Sequence, residues 1–186
     1  LPQADFLAPE GYTAVYETNA ITRHGEHGNA LLTRWPVLRK THQDISDHRF
    51  EQRGLLHVAI DVEGRPVHAI VVHLGLIKGS RVRQVALLRE FIEREIPPGE
   101  PLVVAGDFND WGARMRYAMN AMGLRDTGDL RGARTLTYPS RLPVTQLDFI
   151  YGRQVEVVAS TVPRGPIWAR MSDHLPLVTD FVLSKQ

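Results

Sequence analysis

The sequence predicts an α/β domain in which strands outnumber helices and the sheets are mixed or antiparallel, on three observations. Short apolar runs bounded by glycine, proline or polar residues recur along the chain, at 12–16, 30–32, 53–62, 67–74, 102–105, 147–151, 155–162 and 177–183. Only one long stretch, 80–96, carries clear helical periodicity. With 186 residues and 43% hydrophobic composition, the chain suits a single domain, spanning 1–186, whose core needs no disulfide or structural metal cluster.

Composition removes several function classes. The 22 basic and 21 acidic residues leave a formal net charge of +1, so no global field favours a polyanionic partner and any nucleic-acid contact is local. Cysteine is absent, which excludes disulfides, thiolate metal sites and cysteine nucleophiles without fixing a compartment. No apolar run approaches the roughly 18 residues that cross a bilayer as a helix. The first residue is Leu1, and residues 1–10 carry no basic segment followed by an apolar one, so a natural start upstream is expected.

Taken in order, residues 4–16 read as a helical turn, then Gly11, then a short strand of aromatic and β-branched residues. Residues 22–28 are polar and hold His24 and His27, a pair that without a nearby third ligand reads as solvated. Pro36 closes the next strand, and 40–51 form a loop or hairpin arm. The runs 53–62 and 67–74 pair as a hairpin through a turn at Gly64 and Pro66. Arg53 opens its first arm, either as a bidentate phosphate clamp or as a surface ion pair. His73 closes the second, either as a satisfied core group or as a catalytic one.

Ser80 is placed to cap the helix, with Val82, Val85, Leu88, Phe91 and Ile92 on one stripe. Pro97, Pro98 and Gly99 end it and deliver the chain to PLVVAGDFNDW, residues 101–111. Here an apolar strand stops on Gly106, so that Asp107, Asn109 and Asp110 emerge at a strand end, where α/β proteins place their chemistry. Asp107 and Asn109 read either as a pair converging on a metal or water, or as a capped turn. Residues 113–122 are helical in composition, and 126–133 are loop-like. Asp148 sits inside the apolar strand 147–151, which costs stability unless a partner such as a histidine satisfies it or its edge faces water. Residues 163–171 are an irregular loop bearing Trp168, and Asp173 and His174 adjoin before the last strand.

Together the segments VVHLG, the helix with Arg81-x-x-Gln84, VVAGDFND, LDFIY and SDHLP stand in an order that resembles the endonuclease/exonuclease/phosphatase superfamily. With HGNALLTRWPV and QRGLL before them, the resemblance spans about Gly28 to Leu183. It implies a four-layer α/β sandwich, two packed mixed sheets flanked by helices, and hydrolysis of phosphate esters with magnesium or manganese. It further implies that Asp107 orients or deprotonates the attacking water and that Asn109 supports the phosphate or metal. By the same likeness His174 stabilises the transition state with Asp148 as its buried partner, and Asp173 joins the metal shell. His73 matches a position acting on the leaving group or a phosphate oxygen, and Arg53 a substrate-contacting arginine. Such a set suits in-line attack on phosphorus, which needs a positioned water, a cation and help for the departing oxygen.

One departure stands out. The opening asparagine strand and the later Gln-Glu strand, whose glutamate is the family's principal metal ligand, have no counterpart here. The expectation is therefore an N-terminally truncated sandwich lacking several dozen residues, with exposed strand edges open to self-association and with weak metal binding. The leading function is phosphodiester hydrolysis, nuclease-like on DNA or RNA, with Trp111, Arg141, Trp168 and Arg170 as local contacts. A lipid or small-molecule phosphodiesterase and a non-catalytic interaction scaffold are the alternatives, the last weakened because Asp107, Asn109, Asp148, Asp173 and His174 stand together.

Overall fold

A two-residue turn sets the register of the most buried strands. Glu63 and Gly64 both take positive φ, 55° and 83°, as a tight hairpin turn matched to strand twist requires, and Gly64 N donates to Asp61 Oδ1 at 2.7 Å. Pro66 lies beyond the turn, inside the second arm. The computed structural model describes residues 3–23, 25–130, 132 and 135–184, and its contacts divide the chain into units 1–102 and 103–186. His24 lies outside the described residues.

The first unit runs α1 (Gln3–Leu7), β1 (Thr13–Thr22), β2 (Gly25–Thr33), β3 (Val37–Asp44), β4 (Gly54–Val62), β5 (Arg65–His73) and α2 (Lys78–Glu95). β1 and β2 form an antiparallel pair with Val15 opposite Leu31, and β3, β4 and β5 an antiparallel sheet in that order. Pairing recruits two segments that look loop-like in isolation. Of the polar stretch, residues 22 and 25–28 supply the ends of β1 and β2, and residues 40–44 lie in β3, because a ladder needs backbone partners more than apolar side chains.

β4 is buried on both faces, as a near-continuous apolar run predicts. Leu56 and Val58 meet Val15 and Leu31 of the β1–β2 pair, whereas His57 turns the other way, edge-on to Phe91 of α2 at 5.4 Å between ring centres. The helix departs from expectation in two details. Its N-cap position is Ile77, with no side-chain cap, and Ser80 is buried inside the first turn, donating to Asp47 Oδ2 at 2.7 Å. Arg81 and Gln84 hold the buried face there while Val82 is 51% exposed, so the apolar stripe begins at Val85.

The second unit holds β6 (Leu102–Asp107) from its second residue on, then α3 (Arg116–Ala121), β7 (Arg125–Asp126), α4 (Thr127–Leu130), β8 (Asp148–Arg153), β9 (Val155–Thr161), α5 (Trp168–Met171) and β10 (Val178–Leu183). β6, β8 and β7 lie side by side in that order, and β9 pairs antiparallel with β10. The expected loops at 126–133 and 163–171 contain the short helices α4 and α5. Phe108, Phe149 and Tyr151 are buried with ring centres 5.2–5.6 Å apart, an arrangement that fixes the end of β6 against β8. Among the described residues, no helix is long and apolar enough to cross a membrane.

Candidate functional site

The site begins where β6 ends. The strand runs through Gly106, at φ 148°, to Asp107, so the turn comes later than the sequence suggests. Asn109 makes it, at φ 48°, a left-handed conformation that asparagine tolerates better than most residues. Its backbone N–H donates to Asp107 Oδ1 at 2.8 Å, a side-chain turn of the Asx type. The other oxygen, Asp107 Oδ2, stands 3.9 Å from His174 Nε2. Asp107 thus forms the turn with one oxygen and directs the other toward His174. Asp110, 1% exposed, reinforces the turn by accepting from Met115 N at 2.6 Å.

Opposite lies the loop that carries Asp173 and His174. Ser140 N donates to the Asp173 carbonyl at 2.7 Å, Leu175 N to the Thr137 carbonyl at 2.8 Å, and His174 N to Ser172 Oγ at 3.1 Å. So anchored, His174 directs Nδ1 at Asp148 Oδ2, 2.7 Å away. This settles the open question at Asp148: it is half-buried, and a histidine satisfies it. Alternation along β8 sends Phe149 and Tyr151 into the aromatic core and Asp148 toward the imidazole.

Burial works against the charged imidazole of His174. The Asp148 hydrogen bond and the charges of Asp148, Asp107 and Asp173 outweigh it, so its pKa is raised above the ordinary 6.5. Ligand atoms of Asp107, Asp148 and His174 all lie within 4.8 Å of one another, a group able to hold a metal ion. Asp173 stands outside that group: it is exposed, and its Oδ1 accepts from Ser172 Oγ at 3.4 Å. Asn109 is 4% exposed, at the turn already described.

Arg53 and His73 belong to the first unit, where both line one cleft of about 490 Å³ with Tyr16, Asn19 and Glu51. Arg53 Nη2 donates to Glu51 Oε1 at 3.2 Å, so it makes an ion pair as well as facing the cleft. His27 is exposed, as a solvated histidine is, and also lines the same cleft.

Tyr138 was missed from the sequence. Its ring packs 4.9 Å from the His174 ring, and Trp111 stands edge-on to it at 5.8 Å. An aromatic residue before Pro139 carries no pattern that separates it from loop filler.

Residues 2–174 match the model of the Endonuclease/Exonuclease/phosphatase family. The chain is 36% identical to the Escherichia coli K12 protein YbhP over 184 residues, covering 96% of this chain and 72% of that one. It is 31% identical over 111 residues to a sphingomyelinase C of Leptospira interrogans, covering 51% of this chain and 19% of the other. Among solved structures, an endonuclease/exonuclease/phosphatase from Bacteroides vulgatus superposes with a TM-score of 0.79 at 20% identity, covering 94% of this chain and 77% of that one. The mixed α/β class with packed sheets and helices is thus that of the matched fold.

Proposed function

The chain belongs to the endonuclease/exonuclease/phosphatase family, and from that premise we propose that it hydrolyses phosphodiester bonds by in-line attack of water at the site formed by Asp107, Asn109, Asp148 and His174. The observation that carries this reading is the spacing of Asp107 Oδ2 and His174 Nε2, 3.9 Å apart, with Asp148 behind the imidazole. That gap is too long for a hydrogen bond between them, yet it has the width at which a single oxygen atom would reach both at about 2.8 Å.

Each residue then has a task. Asp107 Oδ2 accepts the proton of the attacking water, as a carboxylate at a strand end can. His174, with Nδ1 held by Asp148, presents Nε2–H to a phosphate oxygen and favours the charged imidazolium beside a dianionic centre. Asn109 supports the phosphate from the turn, and Tyr138 keeps the imidazole plane in place. His73 and Arg53, on the wall of their own cleft, carry an imidazole and a guanidinium that suit phosphate oxygens.

The carboxylates of Asp107 and Asp148 are oxygen donors that a hard divalent cation accepts, so they would hold magnesium or manganese, with Asp173, next in the chain to His174, as a further carboxylate, while the His174 imidazolium offers the cation no lone pair. When bound, the metal supplies Lewis-acid stabilisation of charge on the phosphate oxygens.

For the substrate, the exposed Trp111 and Trp168, and Arg141 and Arg170, favour a nucleic-acid strand that stacks on aromatics and pairs with guanidinium groups. The 111-residue likeness to a sphingomyelinase favours a lipid phosphodiester instead. A panel of nicked, abasic and single-stranded DNA, sphingomyelin vesicles and bis-p-nitrophenyl phosphate, each with magnesium or manganese, separates the two. Turnover of DNA with a steep salt dependence supports the first, and turnover confined to vesicles the second. No turnover of any phosphodiester contradicts the proposal.

A further inference from the structure

Between β5 and α2 the chain turns through Leu74, Gly75, Leu76 and Ile77, immediately after His73. Every backbone polar group of Gly75 and Leu76 is bound by a side chain. Gly75 N donates to Gln84 Oε1 at 2.8 Å, and its carbonyl accepts from Arg81 Nη1 at 3.0 Å. Leu76 N donates to Glu51 Oε1 at 3.1 Å, and its carbonyl accepts from the same Arg81 nitrogen at 2.6 Å.

These bonds are made by side chains that lie where a helix ordinarily places aliphatic ones. Gln84 is 0% and Arg81 6% exposed on the inner face of α2, a costly position for polar groups unless their partners are definite. Ile77 caps the helix without a side-chain hydrogen bond, and the hydrogen bonds of Arg81 and Gln84 go to the turn. Gly75 sits close against the same side chains: a Cβ there would meet the Glu51 carboxylate and stand 3.3 Å from Gln84 Nε2. Glu51 also reaches the cleft, since the Oε1 that accepts from Leu76 N accepts from Arg53 Nη2 at 3.2 Å.

We propose that Glu51, Arg81 and Gln84 are positioning residues that lock the Gly75–Leu76 turn, and thereby hold His73 and Arg53 in one fixed arrangement on the wall of their cleft. The proposal rests on the reading of His73 and Arg53 as phosphate-contacting groups. It explains why a polar pair, rather than two aliphatic residues, opens the buried face of α2, and why Arg81 and Gln84 stand three apart, on one side of the helix and within reach of one turn.

The test compares Gln84→Leu, which removes the acceptor for Gly75 N, with Gln84→Glu, which keeps one. Ile92→Ala, two turns along the same helix, is the structural control. Amide exchange at Gly75 and Leu76 and the side-chain NMR shifts of His73 are read alongside steady-state hydrolysis of bis-p-nitrophenyl phosphate with magnesium. Gln84→Leu is expected to speed exchange at Gly75 about tenfold, move the His73 shifts and lower kcat about 10- to 100-fold with KM little changed, as a small misplacement of a reacting group does. Gln84→Glu restores kcat to within about threefold, and Ile92→Ala lowers Tm without changing kcat or the His73 shifts. In a His73→Ala background, Gln84→Leu causes no further loss.

Parental kcat in Gln84→Leu, an equal loss in the His73→Ala background, or unchanged exchange and His73 shifts would overturn the proposal. If Gln84→Leu does not fold, Arg81→Met is the second removal, read in the same way. If the parent hydrolyses nothing, the phosphodiesterase reading fails by itself, and exchange with the His73 shifts still decides the clamp.

Discussion

His174 Nδ1 stands 2.7 Å from Asp148 Oδ2, and this one contact decides which ring nitrogen is left for other partners. A histidine bound through Nδ1 has its tautomer and ring plane set, which leaves Nε2 as the atom directed at Asp107. Replacing Asp148 with asparagine preserves the shape and removes the charge. Asp148→Asn is expected to lower kcat on a phosphodiester by about 10² to 10⁴-fold, the range over which a positioned acid or base contributes, with a smaller change in KM. Steady-state kinetics on the purified variant check this.

A second prediction concerns pH and lies far from that chemistry in function. His57 is fully buried and Glu100 Oε2 accepts from His68 Nε2 at 2.5 Å, so His68 Nδ1 accepts from His57 Nε2 at 2.9 Å. His57 Nδ1 is left buried without a hydrogen-bond partner. Burial, then the neighbouring His68 and Arg39, push the His57 pKa down to about 4. The folded state therefore favours the neutral ring, and the unfolded chain takes up the proton first, near 6.5. Stability from this group is complete above pH 6.5 and is lost as pH falls from there through about 4, on the order of 3 kcal/mol in all. Urea midpoints at pH 7.5, 5.5 and 4.5 report it, and His57→Leu flattens the dependence.

A third prediction tests a buried charge. Asp126 is 3% exposed, and burial raises its pKa despite Gly128 N at 3.0 Å and Arg116 Nη2 at 3.0 Å. Arg116→Met leaves the carboxylate without its cation. The expected cost is about 3 kcal/mol, and Asp126→Asn in the same background recovers part of it. Chemical denaturation of the two variants measures both effects.

A fourth concerns the core. Leu56 is fully buried between β4 and the β1–β2 pair, so Leu56→Ala removes packed methyl groups that the surrounding strands cannot replace. The expected loss is about 2–5 kcal/mol, read as a lower urea midpoint with an unchanged slope.

Legibility followed the range of the interaction. The β4–β5 hairpin and the long helix were readable because their apolar spacing is local. So was the cost of Asp148 in a strand, since a carboxylate among apolar neighbours requires a partner whatever the fold. The partner itself lies 26 residues away, and no local pattern identifies it. Polar β1, β2 and β3 ends were unreadable for the same reason, being strands only by pairing. Arg81 and Gln84 concealed the start of the buried face, because polar residues there mean solvent unless a distant turn accepts them. Asn109 concealed the true turn behind Gly106, the residue that ordinarily makes one.

If Asp107 and His174 act on one phosphate, as proposed, a double-mutant cycle on phosphodiester hydrolysis shows it. With bis-p-nitrophenyl phosphate and magnesium, Asp107→Asn and His174→Ala should each lower kcat/KM at least about 100-fold, and the double variant should lose little more than either, as groups acting as a unit do. Single variants that keep parental turnover, or losses that simply multiply, would contradict the claim.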